Sequence, residues 1–492
     1  MTLEASHCDQ MADSDASVAQ SQSHIDERIT HTIEVLDGEH EHTQTECSIC
    51  SSICNDHPYT EGSRCSTMAY GQESNATFMP KAERLLAELF PACDEASSTI
   101  TRISGGGSNR IVGLTITHPN PNQFTLRWFQ RSIRNLFRKK KHDRTLKYIL
   151  RTPRNYERDF IKTDHEVAAL KYVYRMLKLP IPKLICFDSG ADNTLGQPYM
   201  IQEWLPGRNL SDVWKEQNLS ISQRKSVIRE LVSIFSLLHT HKSDRAGYIS
   251  PSNETSSPTI VSIWSYEDIK PLIPATPQTT VEFMLDLIKR QEENEKEVFG
   301  FVQRHWWQFR KLLFHLYTRG FLPDEDAFYL CHGDLVGRNI LVTTDHDSVA
   351  ISGVLDWDYQ FVSFRPKFMA YSAPSWLWEE ARELLPGENE PFYDIEPVDE
   401  EKKAWKHYWE SLAGEEWCKY AYRKEYQIAR SLFLVMQFGF RFSHYLAWAD
   451  EILEEWRVLY PEDDLEDDYN SEDDEPESGE SDHKESGDTY DE

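Results

Sequence analysis

No apolar run in this 492-residue chain approaches the roughly 18 uninterrupted residues that a membrane-spanning helix needs. The most apolar stretch, SLFLVMQFGFRFSHYLAWA (Ser431 to Ala449), is interrupted by Gln437, Arg441 and His444, and reads as one buried helix. A disulfide framework is missing too. The nine cysteines are odd in number and scattered, several within apolar runs, which fits free thiols in a reducing compartment. The opening MTLEASHCDQMADSDAS has neither a charged n-region nor an apolar h-region, so no signal peptide is expected and the cytoplasm is the expected address. Positive charge is short: 52 Lys and Arg face 82 Asp and Glu, a net charge of −30. That balance argues against nucleic acid as the main partner.

The deficit is uneven. From Pro461 to Glu492 there are 17 carboxylates and one lysine, so 16 of the 30 negative charges lie in this tail. Self-repulsion predicts a disordered acidic tail over 461–492. Residues 1–79 are polar with no sustained apolar period and read as a disordered arm. Within it CSICSSIC supplies Cys47, Cys50 and Cys54, with Cys65, His40, His42 and His57 near by: half of a zinc site, or free thiols in a flexible arm. Between the tails, 39% hydrophobic residues and fourteen tryptophans supply a sizeable core.

The folded part starts with a helix at PKAERLLAELF, with Pro80 suited to a first turn. ITRISGGGSNRIVGLTIT then reads as strand, glycine turn, strand, and TLKYILRTPR as a further strand. TDHEVAALKYVYRML has helical spacing, with Thr163 as N-cap and Glu166 three residues on, as in a capping box. Short strands follow at PIPKLICFD and QPYMIQEWLPG. From about Ser220 the pattern is helical. A small sheet lobe with hinge over 80–207 and a helical lobe over 208–460 are therefore expected, joined by QEWLPG.

One segment breaks the helical half. In CHGDLVGRNILVTTDHDSVAISGVLDWD, Asp334 follows the apolar FYLC and Asp356 follows VAISGVL. Moving a phosphoryl group needs a carboxylate that orients the nucleophile and takes its proton, and hard oxygen ligands for Mg²⁺. Protein kinases supply these as an Asp, an Asn five residues later and a second Asp on a later strand. Asp334 and Asn339 keep that spacing, and a β-hairpin can bring Asp356 to the same point. Asp334 is then the catalytic base or positioning group, and Asn339 and Asp356 the metal ligands.

HGDLVGRNILV and GVLDWD resemble the two signatures of the aminoglycoside phosphotransferase-like family, and APSWLW (Ala373 to Trp378) is similar to segments in its large fungal branches. The resemblance runs, more weakly, from about residue 80 to 460. It implies an α+β, bilobal protein-kinase-like fold, with a small antiparallel-sheet N-lobe and a larger, mostly helical C-lobe. It implies ATP and Mg²⁺ as cofactors and a hydroxyl of a small molecule as acceptor. SGGGSNRIVGL would cover the phosphates through Gly105, Gly106, Gly107, Ser108 and Asn109, although it departs from the full G-x-G-x-x-G of protein kinases. Arg151 stands where many relatives have lysine, with Glu166 as its partner or only as a helix cap; a planar fork and a point charge are not equivalent. The connector at Gln202, Glu203 and Trp204 would hold adenine through backbone groups. His332 reads as a structural hydrogen-bonder, and Asp358 as either a supporting group or a surface acid. The basic stretch 126–144, with Phe129, Ile133, Leu136 and Phe137 at helical spacing, is a helix packed on the small lobe or a contact for a membrane surface or acidic partner, the acidic tail included. The competing functional reading is an inactive, nucleotide-binding scaffold.

Overall fold

The computed structural model describes residues 73–90, 98–103, 109–118, 144–154, 160–215, 219–251, 259–261, 273–295, 302–325, 327–345, 348–358, 362–378, 396–440 and 443–465. Gly105 to Ser108, the basic stretch up to residue 143, the cysteine-bearing arm and the tail beyond 465 lie outside them. The chain divides into two compact units, Met1–Asn75 and Ala76–Glu492, and the following concerns the second.

Helix α1 (Asn75–Leu89) buries Phe78, Ala82, Leu85 and Leu86, the i, i+4, i+7, i+8 stripe of an amphipathic helix. It starts earlier than the expected Pro80, because Phe78, fully buried, draws the preceding turn into the core. The stripe lies on an antiparallel sheet ordered β1 (Ser98–Arg102), β2 (Asn109–His118), β3 (Arg144–Pro153), β5 (Tyr199–Glu203), β4 (Leu184–Asp188). Val112, Leu114 and Ile116 alternate along β2 and complete a small separate core with Leu150 and Ile201. Helix α2 (Phe160–Met176) sends Val167, Leu170 and Val173 into the second, larger core. Thr163 is therefore inside this helix and buried, rather than its N-cap.

The second lobe opens with β6 (Arg208–Asn209), α3 (Leu210–Lys215) and α4 (Ile221–His239). Ser220 and Gln223 close α4 with a reciprocal capping box. Short strands, unreadable from periodicity, then assemble a sheet ordered β7 (Lys242–Ser243), β10 (Phe328–His332), β13 (Val362–Arg365), β8 (Gly247–Ser250), β9 (Thr259–Val261). Strands β11 (Ile340–Thr344) and β12 (Val349–Val354) form the hairpin, with β6 along β11. The helical part comprises α5 (Thr280–Glu295), α6 (Gln303–Thr318), α7 (Lys367–Ala370), α8 (Glu400–Ala413), α9 (Glu415–Tyr422), α10 (Lys424–Phe438) and α11 (Ser443–Leu459). Among the described residues no helix is long and apolar enough to cross a membrane.

The run Ser431 to Ala449 is two helices, not one. Gly439 ends α10 at φ 72, donating its N–H to the Val435 carbonyl at 2.7 Å. Buried Glu295 then takes the Phe440 N–H at 2.6 Å and the Trp306 indole N–H at 3.0 Å. A side chain at Gly439 would run into the Glu295 carboxylate. Gly439→Ala should therefore cost at least about 1–3 kcal/mol from the left-handed backbone alone, read as a lower urea midpoint. The acidic tail also begins later than its charge suggests. Arg319 pairs with Glu462 at 2.6 Å and Asp463 at 2.7 Å, and Leu465 is buried, so residues 461–465 belong to the fold.

Candidate active site

Strand β10 is buried along Phe328, Tyr329 and Leu330 and delivers His332 to the edge of the core. The Asp334 N–H donates to His332 Nδ1 at 3.2 Å, which leaves Nε2–H to donate to the Leu355 carbonyl at 2.8 Å. Burial pushes the His332 pKa down, keeping the ring neutral for this bridging role. The loop then tightens into a turn at Gly337–Asn339. Gly337 is required by close approach: a Cβ there would sit 2.7 Å from Ser211 Oγ and 3.0 Å from the Trp376 ring.

Asn339 and Arg338 hold the Asp334 carboxylate from two sides. Asn339 Nδ2 donates to Oδ2 at 2.7 Å and to the Asp334 carbonyl at 2.8 Å, while the Arg338 guanidinium donates to Oδ1 at 2.6 Å. The Leu355 N–H donates to the Asn339 carbonyl at 2.8 Å, which ties the loop to the end of the hairpin. The chain turns at Asp356, the single non-glycine residue with positive φ (65°) among the described residues. Trp357 buries its ring 4.6 Å from that of His332.

Asp358 is not a surface acid. It is 2% exposed, accepts from Arg151 at 2.6 Å and from Asn109 Nδ2 at 3.3 Å. Arg151 also reaches Asp356 at 3.4 Å. The expected Arg151–Glu166 pair thus takes another form. Glu166 lines the same small cavity with Arg151, Gln202, Asp356 and Asp358, and its charge is felt by Arg151, but the ion pairs run to the two aspartates. Burial opposes the Arg151 charge, and Asp358, Asp356 and Glu166 together more than restore it. Burial, then the Asp358 charge, raises the Asp356 pKa to about 6 against the pull of Arg151.

Gln202 lines this cavity, whereas the Glu203 and Trp204 amides donate to the Lys183 and Lys147 carbonyls at 2.8 and 3.2 Å. Of the backbone groups expected to hold adenine, those two amides are satisfied within the protein. Sequence reasoning missed Arg338 and left Asp358 undecided; their only signals were the basic residue beside Asn339 and the i+2 spacing of the two aspartates. Among the described residues no group of three or more His, Cys, Asp and Glu side chains could hold a metal ion. Magnesium needs few protein oxygens, taking the others from phosphate and water.

A small antiparallel-sheet lobe, a larger helix-rich lobe and an Asp–Asn loop facing an Asp-bearing hairpin make this a protein-kinase-like fold. The profile of the phosphotransferase enzyme family matches residues 99–363, more than half of the chain, and the chain belongs to that family. An aminoglycoside 3'-phosphotransferase of Streptomyces fradiae is 24% identical over 261 residues, 52% of this chain and 82% of that one. The mitochondrial altered inheritance of mitochondria protein 9 is 34% identical over 71 residues in Candida glabrata and 29% over 147 in Lachancea thermotolerans, 14% and 28% of this chain. These matches cover only 11% and 23% of those two relatives' own length. Among solved structures, an aminoglycoside phosphotransferase in ternary complex with ADP and hygromycin B aligns with a TM-score of 0.40 at 15% identity, over 76% of this chain and 98% of that one.

Proposed function

We propose that the protein transfers the γ-phosphoryl group of ATP, with Mg²⁺, to a hydroxyl of a small molecule. The observation that carries this reading is the paired orientation of Asp334 by Asn339 and Arg338, beside a cavity bearing Asp356 and Arg151. The cavity chemistry fits a phosphate-bearing ligand. Arg151 Nε is buried without a hydrogen-bond partner, a donor that a phosphate oxygen would satisfy. Asp356 is a crowded carboxylate that a divalent cation would relieve.

Each Asp334 oxygen accepts one hydrogen bond and retains capacity for an acceptor hydroxyl. Asp334 would orient that hydroxyl in line with the γ-phosphorus and take its proton as the new O–P bond forms and the bond to ADP breaks. Mg²⁺, when bound, supplies charge neutralisation across the β- and γ-phosphates. Asn339 and Asp356 would hold it, Arg151 would hold phosphate oxygens, and Gly105, Gly106, Gly107, Ser108 and Asn109 would cover them. Glu166 supports the cavity by charge, and Gln202 would meet the base ahead of Glu203 and Trp204. In this reading 80–207 is the N-lobe with its hinge, 208–460 the C-lobe, and the cytoplasm the address; subcellular fractionation checks the last against the mitochondrial names of two relatives.

Thermal unfolding of the full chain tests the core of the proposal. Ligand at about 100 times its dissociation constant stabilises by about 2.7 kcal/mol. A rise requiring both ATP and Mg²⁺ is expected, followed by ADP release in a screen of small hydroxyl acceptors. No rise at millimolar nucleotide would overturn the reading. The Asp356 pKa adds a pH signature. Protons compete with the metal for its carboxylate, so apparent Mg²⁺ affinity should fall below pH about 6, approaching roughly tenfold per pH unit. Calorimetric titration with Mg²⁺ at pH 7, 6 and 5 in the presence of nucleotide reads it; a flat profile would remove Asp356 as ligand.

A further inference from the structure

Arg151 stands among carboxylates of unequal hold. Its guanidinium is 2.6 Å from Asp358 Oδ1 but 3.4 Å from Asp356 Oδ1. The Asp358 side chain is 3% exposed and that of Asp356 31%, so the tighter contact is the buried one and the looser one faces the opening. Asn109, on β2 beside the strand that carries Arg151, donates to the second oxygen of Asp358 at 3.3 Å. The shorter, desolvated contact is the stronger.

We infer that Asp358 is a positioning residue that anchors the Arg151 guanidinium, so that its contact to Asp356 stays long at 3.4 Å and the Asp356 carboxylate stays available to the metal. This rests on the functional reading above. Arg151 Nη2 makes both contacts, and the guanidinium is always charged. An arginine at this place therefore carries a hazard, since released from Asp358 it lies one short movement from Asp356. Closer pairing there would neutralise a metal ligand with a fixed internal cation. Asp358 holds the fork back, and Asn109 holds Asp358.

The test uses the full chain with Mg²⁺ titrated calorimetrically against AMP-PNP-bound protein. Asp358→Asn should weaken Mg²⁺ affinity by about 10–100-fold, the usual weight of a partner behind a metal ligand. Glu166→Gln removes the same charge from the same cavity and should cost much less. Measured against Arg151→Gln alone, so that the lost phosphate contact cancels, adding Asp358→Asn should cause little further loss, because the guanidinium that captures Asp356 is gone. Equal losses in Asp358→Asn and Glu166→Gln would overturn the inference in favour of general charge. A full further loss on adding Asp358→Asn to Arg151→Gln would overturn it in favour of structural damage. If the wild type binds no AMP-PNP, the functional reading fails. The geometric claim is then decided by a stability cycle on unliganded protein, in which Arg151 must couple more strongly to Asp358 than to Asp356.

Discussion

Asp334→Asn should lower turnover by about 10²–10⁴-fold, the range for losing a positioned general base, while Mg²⁺-nucleotide binding stays near wild type. The amide is nearly the same shape as the carboxylate. Its oxygen can still accept from Arg338, but its NH₂ would face the Asn339 amide NH₂, which now donates to Oδ2 at 2.7 Å. Both the proton acceptor and the orientation are lost together. Acceptor-dependent ADP release measures the first effect, and the nucleotide-induced thermal shift controls for binding. Wild-type turnover in this variant would remove Asp334 from the chemistry. A parallel loss of the thermal shift would move it to nucleotide binding.

Asp356→Asn should abolish the Mg²⁺-dependent part of nucleotide stabilisation, most of the about 2.7 kcal/mol expected at saturating ligand. Asparagine is the informative substitution because it tolerates the left-handed backbone at φ 65. The variant keeps the turn and removes the charge. Arg151 would retain Asp358, so the cavity wall should stand. Thermal unfolding with nucleotide alone and with nucleotide plus Mg²⁺ separates the outcomes. A full metal-dependent shift in Asp356→Asn would mean that the cation is held elsewhere.

Much of the scaffold was legible in residue order. The strands on either side of the glycine turn, the stripe of α1 and the helical period from about Ser220 are local signals, and these elements formed there, although α1 starts before Pro80 and Thr163 is no N-cap. The Asp–Asn loop and the hairpin were legible for the same reason: their spacing is short and the intervening strands are apolar. What remained hidden depended on long-range burial. The strands β7, β8, β9 and β13 are too short to show a period, and only their partners define them. Glycine at 439 split an apolar run because the Glu295 carboxylate, distant in sequence, needed the space and the Phe440 N–H. Asp358 looked like one more acid after Trp357; its partners Arg151 and Asn109 lie more than 200 residues away.

Leu355 has a consequence for how such a protein diversifies. Its carbonyl accepts a hydrogen bond from His332 Nε2 and its amide donates to the Asn339 carbonyl, so one residue fastens both ends of the loop to the turn at Asp356. Asp334 and Asp356 are thereby members of one stiff unit, and their separation cannot be tuned to suit acceptors of different size. On the proposed function, a change of acceptor would arise in the surrounding chain, around Trp376, where replacements leave the two carboxylates in register. On that reading chemistry and selectivity are separable inheritances: one locked by two hydrogen bonds to the Leu355 backbone, the other open to drift.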